Sequence, residues 1–312
     1  MTPEQLKQRL HGIIAFTPTP FFPDERVDFD ALGHHVDRLI GTGAHAVVVC
    51  GGVGEYVSLS VDEYRQCITV AVSAAEGRVP LLAGIGHSTR IACELAAHAA
   101  SVGASGLMIN PLYFIEPPDD GLVNHYRAIA QASGLGMMIF STRGQVYGPD
   151  LVEKLAEIDE VVALKDEWGD LGLFIETRER LGDRLTWING MAETQAVPYF
   201  AAGAQAFTSG IVNFAPQLSR QVWELSSAGK FEILERLIAE QIRPIAQLRE
   251  KRKGYLIAVI KEAMQMLGYC ANTVRLPLMP MLEADRVELR SMLAQLELLD
   301  PQPPNNRRVT AK

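Results

Sequence analysis

The chain has 312 residues, 48% of them apolar and 21% charged, with a mean hydropathy of +0.07; this suits one large α/β domain or two smaller ones and excludes a disordered chain. Lys and Arg number 29 against 37 Asp and Glu, a formal net charge of −8, so phosphate backbones and anionic lipid are repelled and nucleic acid is not an expected partner. No apolar run nears the roughly 20 residues of a membrane span, and the opening MTPEQLKQRL has no signal-peptide core, so a cytoplasmic protein without a membrane partner is predicted.

Eight short apolar runs follow in order: Gly12–Phe16, Ala46–Cys50, Pro80–Gly84, Gly106–Asn110, Gly136–Phe140, Val161–Lys165, Leu185–Asn189 and Ala204–Thr208. Most lack polar/apolar alternation, which marks parallel strands covered on both faces, and each is followed by a segment of helical periodicity. Ser88-Thr-Arg begins one such helix, running through Leu95 and Ala99 to a stop at Gly103. Pro149-Asp150 opens another, with Leu151, Leu155 and Ile158 as its apolar face. Cys67 and Cys93 lie in these helical patterns and read as small apolar groups.

Eight strand–helix units predict an α/β fold, a (β/α)₈ TIM barrel, over residues 1–228. A doubly wound sheet alternates in the same way, but no G-x-G-x-x-G follows the first run. After Pro216 the strand signal stops; Gln217–Ser227, Lys230–Leu248, Tyr255–Leu267 and Asp285–Leu299 read as helices, three more than the barrel needs, forming an extension over 229–300. The proline-rich end, 301–312, is predicted to be a disordered tail.

Barrel chemistry gathers at the C-terminal strand ends, so the residues just after each run are the candidates. Lys165 ends the run Val-Val-Ala-Leu, where an apolar setting lowers the amine's pKa and leaves some free base to attack a ketone. The imine so formed draws electrons from the neighbouring carbon without a metal or organic cofactor. Position alone leaves a second reading open: a lysine paired with Asp166 or Asp170 that closes the strand. Arg143, three residues past its strand, offers a fork for a carboxylate, or else points into solvent. The main chain of Gly51 to Gly54 can approach an anion closely, helped by the helix start that follows.

Four motifs, Gly51-Gly-Val-Gly-Glu55, Lys165-Asp-x-x-Gly-Asp170, Ser209-Gly-x-x-Asn213 and Arg275-x-Pro277-Leu278, come in order at barrel spacing. Through them, over roughly residues 8–300, the chain resembles the dihydrodipicolinate synthase and N-acetylneuraminate lyase family of class I lyases. The resemblance implies that Lys165 is the Schiff-base lysine and that the protein is a homo-oligomer, a tetramer built as a dimer of dimers; Gly51, Gly52, Val53, Phe140, Arg143 and Ser209 are the expected substrate-binding residues. It also implies that Tyr113 matches a tyrosine lent to the neighbouring subunit's site. Two departures fall on proton handling: Gly52 and Val53 replace the family's threonines, and Phe140 replaces its relay tyrosine.

Candidates for the missing acid–base group are His87, Glu167 and Tyr147, with Ser141 or Thr142 holding a water. Each also has an ordinary reading: a helix-start residue, a surface carboxylate and a packed ring. The Gly-Gly-x-Gly-Glu form is similar to the sugar-acid dehydratase branch typified by 5-dehydro-4-deoxyglucarate dehydratase. The expected function is therefore a cofactor-independent lyase, aldolase or dehydratase, acting on a small-molecule 2-oxo acid, with sugar acids favoured. The alternative is a catalytically weakened barrel that binds or senses a metabolite. The four cysteines form no C-x-x-C and His34-His35 lacks partner ligands, so no metal site is expected. Arg249-Glu-Lys-Arg-Lys253 reads as a solvated helix face.

Overall fold

A computed structural model describes residues 1–112 and 116–299. In chain order the elements are α1 (Pro3–Arg9), β1 (Gly12–Phe16), α2 (Phe29–Gly41), β2 (Ala46–Val49), α3 (Val61–Ala75), β3 (Leu81–Ile85), α4 (Thr89–Ser101), β4 (Gly106–Ile109), α5 (Asp119–Ser133), β5 (Gly136–Ser141) and α6 (Pro149–Ala156). They continue with β6 (Val161–Asp166), α7 (Leu171–Leu181), β7 (Thr186–Asn189), α8 (Ala196–Ala201), β8 (Ala206–Ser209), α9 (Pro216–Ser227), α10 (Phe231–Leu237), α11 (Arg243–Glu250), α12 (Tyr255–Met266) and α13 (Glu283–Gln295).

The eight strands form one closed parallel barrel in sequential order, with β8 returning to β1 through the pairs Gly12–Ala206 and Ile14–Thr208. Every strand residue is buried, as apolar runs covered by the barrel interior on one face and helices on the other require. The predicted (β/α)₈ barrel with further C-terminal helices is therefore the fold. The strand ends shift by a residue or two: Cys50 and Asn110 lie beyond their strands, while Leu185, Ala204 and Gln205 precede theirs. The predicted disordered tail lies outside the described residues.

Two helical expectations are corrected. The sequence reading gave no element before β1, yet Thr2 caps α1, its hydroxyl accepting from Gln5 N–H while the Gln5 side chain accepts from Thr2 N–H. The helix sets Leu6 against Gly106 and Gly136 at the N-terminal end of the barrel. The single helix expected over 230–248 is α10, a π-turn over Ile238–Ile242, and α11. Pro244 has no N–H to return to the preceding turn, which locally widens. One extra residue in that turn rotates every later side chain by about 100° relative to an unbroken helix. Among the described residues no helix is long and apolar enough to cross a membrane.

Candidate active site

Lys165 is the fifth residue of β6 and pairs in register with Phe140 of β5. Residues paired on adjacent parallel strands share a face. The Lys165 ammonium accordingly sits over the Phe140 ring, with Nζ 3.3 Å from its centroid, and 5.2 Å from that of Phe16. Asp166, one residue on, faces the opposite way and accepts the hydroxyl hydrogen of Tyr199 from α8. The expected partners of Lys165, Asp166 or Asp170, are thus not its partners: Nζ donates to Glu167 Oε2 at 2.5 Å. Burial lowers the amine below the usual lysine range, with the charge and hydrogen bond of Glu167 and then the charge of Asp166 opposing it.

The amine opens into a cavity of about 530 Å³, within the usual range for small-molecule sites. Gly52, Val53, Phe140, Arg143, Lys165 and Ser209 line it together, joined by Phe16, Asn110, Thr142, Glu167, Glu193 and Arg249. Gly51 does not reach the wall; a Cβ there would stand 3.1 Å from Met108 Cε, so this glycine permits packing behind the turn. Tyr113 lies outside the described residues. The exposed Arg143 guanidinium has no hydrogen bond or ion pair to a described residue and is free to meet an anion.

The turn over 51–54 leads into three residues of 3₁₀-helix (Tyr56–Ser58), not an α-helix, so no helix dipole aids anion binding there. Only its N–H groups can do so. Below the turn, Glu55 is fully buried in an ion pair with Lys261 of α12, and Glu55 Oε2 accepts Arg275 N–H at 3.0 Å. Lys261 also donates to Thr273 O at 2.8 Å. The C-terminal extension thereby holds the loop that forms one wall of the cavity.

Of the acid–base candidates, Tyr147 is buried with its hydroxyl 2.8 Å from that of Tyr126, and burial raises it well above the usual phenol range. His87 packs edge-on to Tyr56, ring centroids 5.5 Å apart, and neither it nor Ser141 is on the cavity wall. Glu167 is, with its side chain 41% exposed and on Lys165 rather than loose at the surface.

Sequence reasoning missed Glu193 and Arg249. Glu193 Oε1 accepts from Ser209 and, at 2.9 Å, from Ser219, while its Oε2 has no hydrogen-bond partner. Burial pushes its carboxyl up; hydrogen bonds from Ser209, its own backbone and Ser219, with the charge of Arg249, act the other way. Arg249 does not lie on a solvated face: its Nε is buried without a partner, and its guanidinium rests against Gly210 at the end of β8. Within α11 it stands four residues after the buried Ile245, on the same helix face.

The dihydrodipicolinate synthetase family model matches residues 9–296. The chain belongs to this family. A relative from Chelativorans sp. (strain BNC1), named probable 5-dehydro-4-deoxyglucarate dehydratase, is 34% identical over 95% of this chain and 100% of its own. One of the same name from Allorhizobium ampelinum is 36% identical over 89% and 93%. The crystal structure of dihydrodipicolinate synthase from Oceanobacillus iheyensis superposes with a TM-score of 0.89 at 30% identity, covering 95% of this chain and 99% of that one. The protein is a lyase of this family, with a small-molecule substrate.

Proposed function

We propose that this protein is a cofactor-independent dehydratase of 2-oxo sugar acids, acting through an imine on Lys165. The observation that carries the reading is a buried primary amine, lowered by its surroundings, at the wall of a ligand-sized cavity. The relatives' name supplies the substrate class. By its name, 5-dehydro-4-deoxyglucarate has a C5 ketone beside the C6 carboxylate, a C4 methylene, a C3 hydroxyl and a second carboxylate at C1. Lys165 adds to C5 and water leaves, giving a protonated imine. Its pull acidifies C4, and the electrons released from the C4–H bond expel the C3 hydroxyl as water once it receives a proton.

In this reading Arg143 and the N–H groups of Gly52 and Val53 hold the C6 carboxylate. Arg249, with an unmet donor across the cavity, takes the C1 carboxylate. Ser209 holds Glu193 beside it. Tyr113 is assigned to proton handling in the neighbouring subunit of a homotetramer.

The test is borohydride trapping with pyruvate and longer 2-oxo sugar acids, read by intact mass and peptide mapping. An adduct on Lys165 that is lost in Lys165→Ala is expected; no adduct with any acid on folded protein refutes the mechanism. The phenyl ring of Phe140 favours one second reading, a metabolite-binding barrel. Trapping without turnover of any sugar acid would support it.

A further inference from the structure

Neither Phe140 nor Val53 can carry a proton, so the imine reading needs another group at Nζ. The titratable side chains near it divide clearly. Asp166 holds the Tyr199 hydroxyl and also accepts Trp168 N–H at 3.4 Å, on the far side of the strand. Glu193 has Oε1 held by two serines and Oε2 unpartnered, and it makes no hydrogen bond or ion pair with Lys165. Tyr147 is engaged with Tyr126 beneath the loop. Among the described residues, only Glu167 places an acidic oxygen in contact with Lys165 Nζ.

We propose that Glu167 is the catalytic acid–base residue, taking the C4 proton and then protonating the departing C3 hydroxyl. This rests on the imine reading above and assigns the C4 and C3 proton transfers, which that reading gives to no residue of the same subunit. Once Nζ is bonded to C5, C4 lies roughly 2.4 Å from the nitrogen by ordinary bond lengths. A carboxylate that touches Nζ is therefore within a small side-chain rotation of the C4 proton.

The backbone is fixed for that task, since Glu167 N–H donates to Ser141 O at 2.8 Å, while the side chain is exposed enough to turn. The chemistry balances with one group. The carboxylate accepts H⁺ from C4 as the C4–H pair forms the C4–C5 double bond and the iminium becomes an enamine. The enamine nitrogen then pushes that pair into C3–C4 as the C3–O bond breaks, and the carboxylic acid gives its proton to the oxygen, which leaves as water. Glu167 ends as it began.

Pyruvate tests this without the full substrate, because on this reading the protein exchanges its methyl protons with D₂O through imine and enamine, a rate read above the uncatalysed enolisation in buffer. Wild type, Glu167→Gln and Glu167→Asp are compared by NMR exchange rate and by borohydride trapping run to completion. The expected result is Lys165 trapping in all three, with exchange lowered about 10²–10⁴-fold in Glu167→Gln and partly restored in Glu167→Asp. Exchange at the wild-type rate in a trapping-competent Glu167→Gln overturns the assignment and leaves the imine standing. Loss of trapping in that variant also overturns it, since Glu167 would then serve only to hold Lys165. No trapping in wild type removes the imine reading and this proposal with it.

Discussion

Replacing Lys261 by Met tests whether the C-terminal extension holds the cavity wall. Lys261 and Glu55 are fully buried against each other, and the ammonium also serves Thr273 O at 2.8 Å and lies 4.0 Å from the Phe21 ring centroid. Methionine keeps most of the apolar stem, so the change removes the charge more than the packing. Glu55 is then left with the Arg275 N–H as its hydrogen-bond donor in a site without water access. Breaking a buried ion pair from one side costs about 3–5 kcal/mol. The assay is urea unfolding, read as a midpoint shift at constant m. Lys261→Met with Glu55→Gln, which leaves no buried charge, is expected to recover most of the loss. A single-variant loss below about 1 kcal/mol, or a double variant no more stable than the single, would refute the clamp. Because Glu55 ends the turn at a left-handed φ of 52°, the single variant is also expected to need more pyruvate for half-maximal trapping.

Arg249→Met removes the proposed C1 carboxylate ligand, and a charge-assisted hydrogen bond of about 1.5–3 kcal/mol predicts a roughly 10–150-fold rise in KM for 5-dehydro-4-deoxyglucarate. Pyruvate trapping, which has no distal carboxylate, is expected to stay unchanged; equal effects on both acids would sink the assignment. Phe140→Tyr combined with Val53→Thr is expected to leave the exchange rate level or lower, because the site works through Glu167; a large rise would point to a decayed relay. Burial holds His35 at about 4, down from 6.5. Its folded form stays neutral while the unfolded chain protonates, so the associated stability is full above pH 6.5 and is lost as pH falls towards 4. At 1.36 kcal/mol per unit this amounts to about 3 kcal/mol. Urea midpoints across that window should fall less steeply in His35→Gln, and an identical slope would contradict the assignment.

The barrel was legible because its signal is local: eight doubly covered apolar runs need no knowledge of their neighbours. The place of Lys165 was legible for the same reason, since a cation ending such a run must lie at a strand's C-terminal end. Its partner was not. Asp166 looks nearest in sequence, but strand alternation turns it outward to Tyr199, whereas Glu167 lies past the strand end and its loop folds back over the amine. Arg249 was misread because it was taken with the charged run Arg249-Glu-Lys-Arg-Lys253, although it stands four residues after the buried Ile245 on the same helix face. α1 was missed although Thr2-Pro3-Glu4-Gln5 carries a capping signal, because seven residues are too few to show an apolar stripe.

The same geometry explains how a phenyl ring can stand where a proton-carrying group is expected. The face of Phe140 attracts the Lys165 cation at 3.3 Å and takes up no proton, so it favours ammonium and protonated imine alike. Burial disfavours both. Glu167 decides between charge states, because its carboxylate stabilises the cation until it accepts a proton, and that acceptance at C4 is what converts iminium to neutral enamine. The loss of charge on the nitrogen and on Glu167 then occurs in one transfer, over a ring that holds the nitrogen in place throughout. A tyrosine at 140 would add a second acid beside the same nitrogen and divide the proton between two sites, which is why restoring it is expected to bring no gain.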